Sequence, residues 1–150
     1  MSNNKYIYIL SGIEVRKLTD AQIQKNFEVF KKKYANKREI TFNYYKQFMY
    51  ICNKLPVDIM ISRDDIAYFI SEKAAIESAK SNIGDFNDGG IYNYAIVERL
   101  PLNRAYPITC SDAKYWYFVF NGNSFSYSLI DPNTDELAGY IKKRYDRLHG

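Results

Sequence analysis

Histidine is almost missing from this chain: the single one, His149, is the penultimate residue. That scarcity leaves almost no support for His-based acid–base catalysis, nucleophile–His triads or His-ligated metal sites. Cysteine is nearly as scarce. Cys52 and Cys110 form no metal-type or redox-type pair, and both read as reduced thiols of a cytoplasmic protein. No eighteen apolar residues run together, and the apolar stretch at residues 5–10 is too short for a secretory core, so no membrane partner is expected. Repeats, low-complexity tracts and linkers are also missing, and a single domain over residues 1–150 is the expectation.

Ligand-binding signatures are equally thin. The stretch DFNDGG at residues 85–90 has adjacent glycines and no helix start after them, which excludes a phosphate-cradling loop. Its Asp85, Asn87 and Asp88 lack the twelve-residue calcium pattern with a terminal Glu. Asp58, Asp64 and Asp65 cluster in sequence, but turns attract Asp for their own hydrogen bonds. No catalytic residue, metal ligand or cofactor is therefore assigned.

Aromatic side chains are abundant: fifteen Tyr and nine Phe against one Trp, so some tyrosines are expected at the surface. They organise the stretch at residues 114–132, two alternating runs on either side of Asn121-Gly122. A two-residue turn there sets Phe118 opposite Phe125 and Trp116 opposite Tyr127, with Phe120 and Leu129 on the same inward face. Tyr115, Tyr117, Val119, Ser124, Ser126 and Ser128 then share the other face, left free for contact.

Elsewhere the periodicities predict an α+β fold: a mainly antiparallel sheet of five to six strands with three to four helices packed on it. A first strand covers residues 5–10 and closes at Ser11-Gly12. Thr19 and Gln22 outline a capping box, and Ile23, Phe27, Phe30 and Tyr34 form one stripe of a helix over 20–34. Tyr45, Phe48, Met49 and Cys52 predict a second helix over 41–54, stopped before Pro56. A hairpin follows, with strands at 57–61 and 66–70 around a turn at 62–65. Ser71 caps a helix whose face is Ala75, Ile76, Ala79 and Ile83 and which ends at Gly84. Residues 91–99 read as a strand, and the prolines at 101 and 107 bracket an extended loop. Asn133 and Glu136 open a C-terminal helix lined by Leu137, Tyr140, Ile141, Tyr145 and Leu148.

Charge supplies the remaining functional reading. Lys and Arg number 21 against 17 Asp and Glu, a net +4 that permits anionic partners without requiring them. The densest basic cluster is Lys31, Lys32, Lys33, Lys37 and Arg38, at a helix end where the dipole alone favours cations. Lys32, Lys33, Lys37 and Arg38, with Tyr115 and Tyr117, are the candidate binding residues. With catalytic residue types scarce and Tyr, Asn, Ser and Arg plentiful, the expected function is a non-catalytic module that binds another protein. By compositional analogy such chains occur among phage and mobile-element accessory proteins, some of them inhibitors of host proteins. The same basic and tyrosine clusters permit nucleic-acid binding, and the hairpin's Tyr/Ser face or its edge permits a homo-oligomer. Finally, the order of Ala67-Tyr68-Phe69-Ile70-Ser71, an Ala-rich helix and Tyr92-Asn93-Tyr94-Ala95-Ile96 distantly resembles the middle of ADP-ribosyltransferase domains. That resemblance implies a strand-ending serine motif at Ser71; no Glu-x-Glu or Gln-x-Glu pair follows downstream.

Overall fold

The computed structural model describes residues 6–34, 39–102 and 113–149, with side chains as far as Tyr145 in the last segment. In chain order the elements are β1 (Tyr6–Lys17), α1 (Asp20–Tyr34), α2 (Phe42–Asn53), β2 (Ile59–Phe69), α3 (Glu72–Lys80), β3 (Tyr94–Pro101), β4 (Lys114–Asn121), β5 (Ser126–Ile130) and α4 (Glu136–His149). The five strands form one antiparallel sheet in the order β2-β1-β3-β4-β5, so the α+β class read from the sequence holds. The chain packs as two compact units: Arg16–Met60, which carries α1 and α2, and the remainder, which carries most of the sheet with α3 and α4.

In the sheet unit, α3 lies against one face. Its small residues Ala75 and Ala79 allow close approach to Leu10, Ala95, Val97, Phe118 and Tyr127, all buried, with Trp116 and Phe120 packed around them. Burying a side chain such as Phe118 contributes about 1.5–3 kcal/mol. The inward assignment of Trp116, Phe118 and Phe120 is therefore correct. The hairpin register is not the expected one. Phe118 pairs with Leu129 and Phe120 with Tyr127, around a four-residue loop at 122–125. Phe118's partner lies four residues beyond Phe125, an even displacement that leaves every side chain on its own face. The longer loop lets Phe125, at φ 52°, set its ring edge-on against Phe120 at 5.6 Å.

Strand β1 runs through Ser11-Gly12 to Lys17 instead of closing there. Gly12 serves as a seat, not a stop: a Cβ at this position would lie 2.6–2.9 Å from ring atoms of Tyr92. Gly12→Ala is expected to cost about 1–3 kcal/mol through this overpacking, measured by urea unfolding. Wild-type stability in the variant would show that the Tyr92 ring does not sit there. The expected hairpin at 57–70 is instead the single strand β2, since its polar centre finds partners within the sheet. Ile83 is exposed, because α3 stops at Lys80 and Asn82 turns left-handed at φ 51°. Buried Asn82 accepts from the Asn87 N–H at 3.0 Å, and Asn87 bridges both backbone groups of Tyr92, so two asparagines order this loop. The α4 cap is Asp135, not Asn133: its carboxylate accepts from the Ala138 N–H at 3.0 Å.

In the helical unit the aromatic stripes behave as read. Phe27 and Phe30 of α1 meet Tyr45 of α2 at ring separations of 5.3 and 4.8 Å, closing a core with Ile40, Phe48, Met49 and Val57. The capping box at α1 is formed in both directions. The Thr19 N–H donates to Gln22 Oε1 at 2.9 Å, and the Gln22 N–H donates to Thr19 Oγ1 at 3.2 Å. Thr41 caps α2 by accepting from the Tyr44 N–H.

Candidate functional site

The tyrosines of the hairpin's Tyr/Ser face are not free, although Ser124 and Ser128 are exposed. Tyr117 is 7% exposed, and Tyr115 is half-buried with its ring 5.1 Å from Tyr145 of α4. The physical reason is that α4 folds back over this face and lays Ala138, Ile141 and Tyr145 into the interior. Along β4 both flanks are buried at Tyr117 and Phe118, whereas Ser124, Ser128 and Leu129 stay exposed, and an alanine at Tyr117 is expected to damage folding before binding. Lys32 and Lys33 are exposed on the last turn of α1, in the helical unit, and Tyr115 and Tyr117 belong to the sheet unit. Lys37 and Arg38 lie outside the described residues, as does Cys110, whereas Cys52 is a half-buried free thiol. Ser71 follows β2 and spends its hydroxyl as the cap of α3, accepting from the Ala74 N–H at 3.3 Å.

Beneath α4 lies a polar cluster that no sequence pattern announced. Arg63 of β2 donates to Glu98 of β3 at 3.0 Å, to Asp65 at 3.0 Å, to the Ser11 hydroxyl at 3.0 Å and to the Tyr145 hydroxyl at 2.5 Å. Glu98 is almost wholly enclosed. Burial works against the charge on Arg63, but Tyr145, Glu98 and Asp65 together raise its pKa. Burial also pushes the Asp65 carboxyl upward, yet the hydrogen bond from Ser11 and the Arg63 charge hold it below its ordinary value. Burial pushes the Tyr145 phenol up to about 12, and it raises Tyr115 further, helped by the Glu98 charge. These groups satisfy one another across β1, β2, β3 and α4, so the cluster does the work of a clasp. Among the described residues no three His, Cys, Asp or Glu side chains are placed to share a metal ion, and no helix is long and apolar enough to cross a membrane.

The tyrosines give this unit an alkaline limit. A phenol whose folded pKa is raised favours the folded state fully below the unfolded value near 10, and that contribution disappears as pH rises through the folded value. Tyr145 therefore predicts a melting temperature that falls between about pH 10 and 12, with Tyr94, Tyr115 and Tyr127 raised in the same direction chiefly by burial. Tyrosinate absorbance followed alongside circular dichroism checks this. Complete ionisation near pH 10 with no loss of structure would contradict the buried placements.

Exposed apolar side chains lie on both units, and on the helical unit several of them line one cleft. A cleft of about 870 Å³ runs along α1 and α2, with Pro56 and Val57 also in its lining. Ile51 is 70% exposed and Tyr50 49%, both on α2, and they line it with Phe42 and Ile23. Its rim is polar, with Gln24, Lys46 and Asp58. Such a volume lies in the range of preformed binding sites. The Arg16–Met60 unit carries ten Lys and Arg against four Asp and Glu, a net +6, whereas the rest of the chain is at −2. The basic cluster at residues 31–38 is thus part of a unit that is basic throughout, and the boundaries of that unit come only from the fold. No family model, curated protein or solved structure matches this chain.

Proposed function

We propose that this protein is a non-catalytic interaction module that takes an apolar, helical segment of another protein into the cleft between α1 and α2. The observation that supports this reading most is the run of exposed apolar side chains along one open cleft, led by Ile51 and Tyr50. Apolar patches of this kind on a folded surface mark interaction sites, and a groove between helices suits an amphipathic helix with anchors at helical spacing. The +6 charge of the unit selects a partner segment flanked by Asp and Glu. A module that covers such a segment would modulate its partner by occupancy, with no chemistry required.

The test uses Ile51→Glu, a change at an exposed position that leaves the helical-unit core untouched. Immobilised wild-type protein should retain a stoichiometric partner from its native host, and Ile51→Glu should lose it while its circular dichroism stays unchanged. Retention of the same proteins by both forms would reject the cleft as the contact surface. A second reading, nucleic-acid binding, is favoured by the same +6 and by exposed Lys32 and Lys33. It requires oligonucleotide binding that weakens steeply with added salt, and no retardation at low salt would dismiss it.

A further inference from the structure

The two outer strands of the sheet differ in kind. Strand β2 carries Arg63, Asp64 and Asp65 at its centre, the charged treatment by which natural sheets discourage unwanted pairing. Strand β5, Ser126-Tyr127-Ser128-Leu129-Ile130, carries no charge, no proline and no bulge, and among the described residues no strand pairs with its outer edge. Leu129 is 50% exposed along it, and Phe125 is 49% exposed at its start.

We propose that two copies of this chain pair through β5, antiparallel and edge to edge, about a two-fold axis at Ser128. This contact is independent of the cleft on the helical unit. In that register Ser128 meets Ser128, Leu129 of each copy lies beside Tyr127 of the other, and Ser126 faces Ile130. Every pairing is uncharged, so the strand is complementary to itself, as a two-fold contact demands. The outward N–H and C=O groups of both copies are then satisfied, and the two sheets become one of ten strands. A five-residue edge whose apolar side chains are Tyr127, Leu129 and Ile130 buries less than the roughly 1,000 Å² of a permanent interface. The dimer is consequently weak and dissociates on dilution.

Sedimentation of the purified full chain over a range of concentrations tests this. Wild type should move from monomer to dimer as concentration rises. Ser128→Lys and Ser128→Asp, both at an exposed position, should each weaken association at least about tenfold by placing like charges together on the axis. An equimolar mixture of the two should dimerise again. A wild type that stays monomeric at its highest soluble concentration overturns the proposal. So does a dimer that either variant leaves intact, or a mixture that associates no better than its components.

Discussion

Arg63→Ala is expected to lose about 3–5 kcal/mol of stability, because it removes the guanidinium that ion-pairs with the enclosed Glu98 carboxylate at 3.0 Å. The same change removes the donor to Tyr145 at 2.5 Å and so loosens α4 from the strands it covers. Chemical denaturation of Arg63→Ala, Glu98→Gln and the double variant forms a cycle. Each single change should be costly, and the double variant should cost clearly less than their sum, since no orphaned charge then remains. Replacing both residues by apolar ones of similar volume should come close to neutral, because desolvating the pair offsets much of its attraction. A loss under about 1 kcal/mol for Arg63→Ala would mean that the pair behaves like an exposed surface bridge. The clasp assignment would then fail.

Removal of the α1–α2 insertion is the second large effect. The Leu18 N–H donates to the Asp58 carbonyl at 2.7 Å, so the chain leaves β1 and rejoins β2 at adjacent points. A variant in which residues 19–57 are replaced by a two-residue Asn-Gly turn has the geometry of a β1–β2 hairpin. Its far-ultraviolet circular dichroism should lose the helical contribution of α1 and α2 and keep the strand signal, with one cooperative thermal transition. Partner capture should vanish, as it does for Ile51→Glu, because the whole cleft is removed. Retained capture by the shortened chain would move the contact surface onto the sheet unit.

Where the sequence pointed wrongly, distance along the chain is the reason. Residues 62–65 read as a turn because four polar side chains in a row have no local reason to lie in a strand. Arg63 finds its partners 35 and 82 positions away, at Glu98 and Tyr145. The freedom assigned to Tyr115 and Tyr117 followed from two-sided alternation, which cannot say whether a later element will cover the polar-looking side. Gly12 read as a break because the Tyr92 ring that needs its missing side chain is eighty residues downstream.

The sequence alone determined what depends on near neighbours: the span of α1 with its capping box, the aromatic stripes of both inserted helices, the cap of α3 at Ser71, and the division of the hairpin into two faces. Those features are settled by periodicity and by hydrogen bonds that reach three or four residues. Only the tertiary structure decided the hairpin register, the burial of Tyr115 and Tyr117, the clasp around Arg63, the concentration of positive charge in one unit and the place of β5 at the end of the strand order. Each of these depends on which distant surfaces meet. Chain connectivity restricts that choice but cannot make it, and the packing of the whole sheet does.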